Sequence, residues 1–267
     1  MADFDTHSDA VALAVTPALP RINIITTQDL RDALGQGWDD FKAQPSHLAF
    51  VALVYPIAGV LLAHLTVSYN IFPLLFPLLG GFALLGPFAA IGLYEVSRRR
   101  ERGLDSGWEH AFALLRSPAI GQIMLLGAML TGLFIGWLLS AWLIYRGMLD
   151  LPANVSTADF LLTVFSTFDG WIMVVVGNSV GLLFAILAFS ISVTAFPHII
   201  DRRVDVATAV RTSIAVVENN PRVMMIWGLM VTGLLVLGCL PMLVGLIVVM
   251  PVLGHATWHL YRKVVDG

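Results

Sequence analysis

The chain has very little cysteine and very little charge. Cys239 is the single cysteine among 267 residues, so a disulfide framework is excluded and a thiolate metal centre would lack ligands. Only 12% of the residues are charged, about half of the roughly 25% that is usual in soluble domains. The hydrophobic fraction is 58%. These values predict an all-α, polytopic membrane protein.

Six apolar segments are long enough to cross a bilayer as helices, which requires roughly 20 residues each. Helices are expected because backbone polar groups in lipid must be satisfied within the segment. The predicted spans lie at about 48–69, 71–94, 120–145, 171–197, 222–240 and 242–258.

Residues 1–28 are predicted to be a disordered cytoplasmic tail. Three early acidic residues, Asp3, Asp5 and Asp9, precede the first basic residue, Arg21. The segment therefore lacks the positive start and the full apolar core of a signal peptide. Residues 29–267 are predicted to form one membrane domain.

The basic residues predict the orientation of the chain. Fourteen of the 15 lie on one side of the six predicted spans, and Arg146 alone lies on the other. The positive-inside rule then predicts a multi-pass protein with both termini and the basic loops in the cytoplasm. The basic residues at the cytoplasmic span ends are expected to fix the topology and to contact anionic lipid headgroups. They are Arg98, Arg99, Arg100, Arg102, Arg202, Arg203, Arg262 and Lys263.

A short amphipathic segment precedes each odd-numbered span. Apolar residues recur at offsets 0, 4, 8 and 11 from Leu30, Leu104 and Val206, and a proline follows each set. On a helix these offsets cover an arc of about 80°, which is one apolar stripe. The pattern predicts three helical hairpins, each preceded by a helix on the cytoplasmic surface. These surface helices are expected at about 29–43, 104–117 and 205–219, with the apolar side towards lipid or towards the spans.

The interiors of the predicted spans contain no charged residue, although charges inside a bilayer often mark function. No catalytic constellation is found, so an enzyme is not expected. One alternative is a small-solute permease or channel, because a proline-broken helix such as the second span can form a binding site at mid-membrane. Close helix packing and interhelical hydrogen bonding explain the same residues without a solute. The candidates for a solute path are Pro77, Gly81, Gly86, Pro87 and Asn178.

Three histidines are the candidates for a cofactor site. His255 and His259 are four residues apart and therefore share one face of a helix, and His198 ends the fourth span on the same side of the membrane. Such histidines can ligate a haem or a metal. The competing interpretation is interfacial histidines beside the aromatic belt of Trp258 and Tyr261. No metal or cofactor is predicted.

Six sequence motifs are characteristic enough to be compared with known families. They are Asp32-Ala33-Leu34, Gly37-Trp38-Asp39-Asp40-Phe41, Gly81-Phe82-Ala83-Leu84-Leu85-Gly86-Pro87, Gly92-Leu93-Tyr94-Glu95-Val96-Ser97-Arg98-Arg99, Glu218-Asn219-Asn220-Pro221 and Pro251-Val252-Leu253-Gly254-His255-Ala256-Thr257-Trp258-His259-Leu260-Tyr261. With these motifs the chain resembles the family of predicted bacterial integral membrane proteins catalogued as domain of unknown function 2189. The resemblance implies an inner-membrane location in a Gram-negative bacterium and no established activity, and it carries no catalytic residues to transfer.

The first functional hypothesis is a non-enzymatic membrane protein that acts through helix packing, lipid contact and a membrane partner protein or a second copy. The permease is the second hypothesis. The third is an accessory subunit of a respiratory or oxidase complex. A catalytic haem–copper subunit would need about twice as many spans and more histidines within them. No basic arm or aromatic–basic alternation suggests binding to nucleic acid.

Overall fold

The computed structural model describes residues 19–43, 74–84, 86–107, 114–149, 151–152, 155–240 and 244–266. Within these ranges the chain forms helices and no strand, which confirms the all-α class. The helices are α1 (Thr27–Ala43), α2 (Leu75–Leu84), α3 (Gly86–Ala89), α4 (Ile91–Glu101), α5 (Ile120–Met148), α6 (Thr157–Ser166), α7 (Phe168–Ser192), α8 (Ala195–Arg202), α9 (Val206–Asn219), α10 (Pro221–Cys239), α11 (Leu246–Val264) and the 3-10 helix Leu114–Arg116.

Three helical stretches among the described residues are long and apolar enough to cross a membrane. They are Ile120–Met148, Phe168–Arg202 and Pro221–Cys239, and they coincide with three of the predicted spans. The predicted second span consists of α2, α3 and α4, and α11 covers most of the sixth. The predicted span 48–69 lies outside the described residues, so the number of six spans and their orientation stay predictions.

Two of the predicted spans are interrupted within the described residues. In the second, which carries Pro77 and Pro87, Ala90 forms a turn between α3 and α4. The fourth bends at Val193 and Thr194, between α7 and α8. Pro197 explains this bend, because its ring lacks an N–H and clashes with the carbonyl of the residue four positions earlier, which is Val193.

The apolar core lies at the end of the bundle where α4, α8 and α11 terminate. Its largest fully buried side chains include Tyr94, Phe196, Trp227, Trp258 and Tyr261. The long spans, by contrast, expose wide apolar surfaces, and only 6% of the most apolar window of Phe168–Arg202 is buried. Exposed apolar surface on this scale requires a lipid environment. The described helices therefore combine a packed end with lipid-facing spans.

Helix α1 packs along α11 rather than standing alone at the surface. It begins with a capping box, in which the backbone N–H and the hydroxyl of Thr26 both donate to the carboxylate of Asp29. Its buried face is centred on Leu30, Ala33 and Gly37, and the predicted stripe residue Trp38 is 44% exposed. The predicted stripe therefore shares Leu30 and Phe41 with the buried face but not Trp38, because the small residues Ala33 and Gly37 allow the closest approach to α11.

The third predicted surface helix, α9, also buries a face that differs from its predicted apolar stripe. The second, predicted at 104–117, departs further from the prediction. In α9 the buried face consists mainly of small residues, and the predicted apolar stripe lies at its edge, half-buried. In the predicted helix 104–117, residues 104–107 are irregular, residues 108–113 lie outside the described part, and Leu114–Arg116 is a 3-10 helix. The buried residues of α9 are Thr208, Ala209, Thr212, Ser213 and Val216, and the stripe residues are Val206, Val210, Ile214 and Val217.

The segment before α1 is held against the end of α11. The backbone N–H of Asn23 donates to the carbonyl of Val264 (2.8 Å), and that of Asp266 donates to the carbonyl of Arg21 (3.0 Å). The side chain of Asn220 accepts from the N–H of Ile25 at 2.9 Å. Residues 21–26 fall within the predicted tail 1–28, and these hydrogen bonds hold them against α11 and Asn220. The composition of this segment, from which the tail was predicted, gives no indication of these backbone hydrogen bonds.

Candidate functional site

The basic ends of α4, α8 and α11 meet at one buried carboxylate. Asp201, whose side chain is 3% exposed, pairs with Arg102 (2.7 Å), Arg202 (3.3 Å) and Arg262 (3.3 Å). It also accepts a hydrogen bond from the hydroxyl of Tyr261 at 3.1 Å. We call Asp201 and its three arginines the arginine cluster. It joins three helices that are distant in sequence, and a carboxylate with this many partners is a strong electrostatic clamp.

Glu101 extends the arginine cluster towards α11. One of its carboxylate oxygens accepts from Nε of Arg262 and the other accepts from the indole N–H of Trp258, both at 3.0 Å. Because Trp258 is fully buried, this bond satisfies a polar group that would otherwise be costly.

The other predicted anchors also have acidic partners within the chain. Glu95 accepts two hydrogen bonds from Arg98 at 2.7 Å each and lies 3.8 Å from Arg99, and Arg100 pairs with Asp40 at 3.1 Å. Lys263 pairs with Asp29 and Asp32 on α1. Seven of the eight predicted anchors therefore form ion pairs inside the protein. The eighth, Arg203, ends α8 in the left-handed backbone region.

A second polar group, the Asp40 cluster, is buried between α1, α4 and α11. It consists of Asp40, Ser97, His255 and His259. The hydroxyl of Ser97 donates to Asp40 at 2.6 Å and lies 2.7 Å from Nδ1 of His255, and Nε2 of His259 lies 2.8 Å from the same oxygen of Asp40. Because Ser97 has one hydroxyl proton, we assign the proton of the second bond to His255 Nδ1.

The environment of Asp40 favours its charged form. Burial opposes ionisation, but the hydrogen bonds from His259 and Ser97 and the positive charges that the histidines can carry outweigh it, so the pKa of Asp40 lies below its ordinary value. Ser97 and His255 are fully buried. The order of bonds also differs from a nucleophile–base–orienter chain, because the carboxylate is bonded to the serine rather than to His255. These hydrogen bonds connect α1, α4 and α11 and therefore stabilise their packing.

The structure separates the three candidate histidines. His255 and His259 share the Asp40 cluster, whereas His198 lies against Tyr261, with ring centroids 5.9 Å apart. The described residues contain no group of three or more His, Cys, Asp or Glu side chains that could hold a metal ion. A common ligand set of all three histidines is not formed.

The candidate residues for a solute path contact different helices and do not face one another in the described contacts. The carbonyl of Pro77 accepts a hydrogen bond from the indole of Trp137 on α5 (2.9 Å), and Pro87 is half-buried. A Cβ at Gly86 would lie 3.9 Å from the Met250 side chain on α11. Asn178 is exposed on α7 and donates to the carbonyl of Val174 in its own helix. These contacts do not join Asn178 to the second span, and the surroundings of Gly81 lie outside the described part.

Sequence reasoning missed the acidic partners of both clusters. Asp40 and Asp201 stand next to apolar or basic residues, and nothing in the linear pattern marks them as buried acceptors. The sequence offers only a weak indication that Asp40 is buried. Asp40 shares the buried face of α1 with Leu30, Ala33 and Gly37, and the sequence pattern of apolar residues does not include it.

One comparison with known proteins gives a match. The family model described as predicted integral membrane protein, domain of unknown function 2189, matches residues 74–201. The range begins just before α2 and ends at Asp201, and it contains the resembling motifs at 81–87 and 92–99, whereas those at 32–41, 218–221 and 251–261 lie outside it. The comparisons with curated proteins and with solved structures give no match. Over residues 74–201, just under half of the chain, the sequence is therefore similar to the predicted integral membrane proteins known as domain of unknown function 2189.

Proposed function

We propose that the chain is a non-enzymatic protein of the bacterial inner membrane that acts through contacts with anionic lipid headgroups and with a membrane partner. In this proposal six spans cross the membrane and both termini lie in the cytoplasm. The observation that carries it is the arginine cluster, because it fixes the basic ends of three helices at one end of the bundle. A rigid, partly exposed basic surface at a membrane face is suited to recognition rather than to chemistry.

The cluster retains capacity to bind phosphate. Side chains of Arg102, Arg202 and Arg262 are 49%, 40% and 35% exposed, and each guanidinium has five N–H donors. Asp201 and Glu101 supply two negative charges against these three positive ones, and Arg203 adds another. A basic residue near an anionic leaflet contributes about 1 kcal/mol of attraction. The surplus charge supports binding of headgroup phosphates.

Burial of the reactive side chains supports a non-enzymatic role. Ser97 and His255 are the described serine–histidine pair with the geometry closest to a nucleophile and a base, and both are fully buried. A substrate could not reach them without separating α1 from α11. The exposed side chains of α1, such as Trp38, are better placed to meet a partner.

The lipid contact can be tested by measuring the lipids that co-purify in mild detergent from membranes with a fixed anionic fraction. The double variant Arg202→Gln and Arg203→Gln is compared with Arg146→Gln, which changes the one basic residue on the predicted opposite side. We expect anionic lipid to be enriched with the wild type and with Arg146→Gln, and at least twofold less with the double variant. Equal lipid composition in all three preparations would refute the lipid contact.

The topology and the partner are tested separately. A reporter that fluoresces only in the cytoplasm, fused after residue 267, should be bright, and a dark fusion would contradict the predicted orientation.

For the partner, cross-linking in the native membrane followed by purification should give a defined heavier species, and Trp38→Ala should reduce its amount. A chain that is always recovered alone would contradict the partner role. The permease and the accessory oxidase subunit remain alternatives from the sequence.

A further inference from the structure

Helix α6 and the first turn of α7 carry a continuous exposed apolar patch. Its five residues are between 41% and 79% exposed, a high value for large apolar side chains. They are Leu161, Leu162, Phe165, Phe168 and Trp171. We propose that this patch lies in the lipid leaflet on the membrane face opposite the arginine cluster, with α6 in the plane of the interface. The proposal is independent of the proposed function, which concerns the basic face.

The position of α6 follows from the hairpin that it closes. Helix α5 starts near the core, where Gln122 accepts the backbone N–H of Val206, and its 29 residues extend for about 43 Å. Helix α7 returns towards Asp201 in the arginine cluster. Residues 149–167, which include α6, therefore connect the two long helices at the end far from that cluster.

The sides of α6 are chemically distinct. Phe160 and Val164 are buried, and the ring of Phe160 meets the ring of Tyr145 on α5 edge-on at 6.0 Å. At 100° per residue, Leu161, Leu162 and Phe165 lie within an arc of about 100° next to this buried side. Asp159 and Ser166 lie beyond that arc. One side thus contacts the hairpin, a second is apolar and exposed, and a third is polar, as expected for an interfacial helix.

The junction between α6 and α7 holds the patch in a fixed geometry. A Cβ on Gly170 would lie 2.2 Å from the carbonyl oxygen of Val164, so the two helices approach there as only glycine permits. The indole N–H of Trp171 donates to the carbonyl of Phe165 at 3.1 Å. The patch therefore lies on a helix–helix corner whose geometry is fixed by close packing and a hydrogen bond. Tryptophan at such a corner is typical of the boundary between headgroups and acyl chains.

The charge and the surroundings of the patch favour lipid as its occupant. Residues 155–171 contain two aspartates and no Lys, Arg or His, so no attraction to anionic headgroups or acidic partners is available. The patch continues onto α7 at Val175 and, beyond the exposed Asn178 and Ser179, whose side chains donate to carbonyls of their own helix, at Leu182 and Leu183. Helix α7 is apolar enough to span the membrane. An apolar surface that is continuous with a lipid-facing span is best covered by the same lipids.

The test is cysteine labelling, which is practical here because only one native cysteine, Cys239, has to be removed. In a Cys239→Ala background, Leu162→Cys and Phe165→Cys place a thiol on the patch, and Ser166→Cys places one on the polar side of the same helix. The full chain is inserted at one copy per nanodisc in phosphatidylcholine alone, where both faces are accessible and no second copy is present. The rate of labelling by a charged, membrane-impermeant maleimide is measured for each variant.

We expect Ser166→Cys to react at least tenfold faster than Leu162→Cys and Phe165→Cys, and the three rates to converge after denaturation in detergent. Adding anionic lipid should change the ratio by less than twofold. A ratio within twofold in single-copy discs would overturn the proposal. Protection that appears only at high protein density would assign the patch to a second copy, and protection found only in native membranes would assign it to a partner protein. Both of these results would also overturn the proposal.

Discussion

Gly37 on α1 and Ala256 on α11 bring two helices together almost backbone to backbone. A Cβ on Gly37 would lie 2.6 Å from the backbone nitrogen of Ala256 and 2.7 Å from the carbonyl oxygen of Val252. No rotation of a side chain can relieve contacts with backbone atoms. The helix that precedes the first predicted span is thereby fixed to the last helix of the chain, and the Asp40 cluster lies one turn away.

Gly37→Ala should therefore destabilise the protein. The added methyl group forces α1 away from α11, and overpacking of this kind costs roughly 1–3 kcal/mol. We expect a lower thermal midpoint in detergent and faster hydrogen exchange in α1. The matched control is Gly35→Ala on the same helix, where a Cβ meets no atom within 4 Å. That variant should be neutral or more stable by up to about 1 kcal/mol, because alanine favours the helix. Equal effects of the two changes would contradict the packing argument.

Asp201→Asn should be more damaging than a change at an exposed aspartate. It leaves Arg102, Arg202 and Arg262 without their shared carboxylate, and removing one partner of a buried ion pair costs about 3 kcal/mol. The control is Asp39→Asn, whose exposed carboxylate pairs only with Lys42 next to it on α1, and which should change stability by less than about 1 kcal/mol. Chemical denaturation followed by tryptophan fluorescence gives both values. A smaller loss for Asp201→Asn than for Asp39→Asn would show that the arginine cluster does not hold the helix ends together.

The Asp40 cluster predicts a loss of stability in acid. Because the pKa of Asp40 is lowered in the folded protein, its charged form stabilises the fold above the ordinary value of 3.8. This contribution should disappear as the pH falls below 3.8 and passes through the lowered value, when the folded state must take up a proton. Asp40 faces Ser97 and Arg100 from α4 and His255 and His259 from α11.

The thermal midpoint of wild type and Asp40→Asn as a function of pH checks this prediction. At neutral pH the variant should melt at a lower temperature, and the two curves should converge as the pH falls below about 4. Ser97→Ala removes one of the hydrogen bonds that lower the pKa, so its curve should lie between them. Curves for wild type and Asp40→Asn that stay parallel down to pH 3 would contradict the assignment.

Two glycines on α7 should respond differently to the same substitution. A Cβ on Gly181 would lie 2.9 Å from the indole of Trp137, whose N–H is bonded to the carbonyl of Pro77, whereas a Cβ on Gly177 meets nothing within 4 Å. Gly181→Ala should therefore shift Trp137 and lower stability by roughly 1–3 kcal/mol, and Gly177→Ala should not. The fluorescence of Trp137 and the thermal midpoint report the two effects. A red-shifted or less stable Gly177→Ala protein would indicate an additional contact on that face.

Much of the architecture could be predicted because lipid imposes strong rules on composition. Long apolar helices at 120–148, 168–202 and 221–239 follow from hydropathy, and an interrupted second span, which the structure shows at Ala90, is expected from its prolines. The faces of α1 and α9 could not be predicted in the same way. There, small residues such as Gly37 and Ala209 determine the buried side, and they contribute little to an apolar stripe.

The candidate sites were predictable only in part, for a related reason. His255 and His259 were selected by their spacing, which correctly places them on one face, but their partners Asp40 and Ser97 are contributed by helices distant in sequence. The arginines at 98–102 and 202–203 were interpreted by their position relative to the spans. The pairs of Glu95 with Arg98 and Arg99 are three and four residues apart on one helix, so local spacing predicts them. The pairing of Arg102 and Arg262 with Asp201 and Glu101 depends on how the helix ends meet, which no local pattern encodes.

The bridge between Ile22 and Val265 has a consequence for the order of synthesis. Helix α1 leaves the ribosome first, but its docking surface on α11 is complete only about 220 residues later. At about 5–20 residues per second this delay is roughly 10–45 s. During that time the buried face of α1 lacks α11, its packing partner in the folded protein. Among the described helices, the one that is synthesised last therefore holds the one that is synthesised first, and a chain truncated before residue 246 would leave α1 without its packing partner.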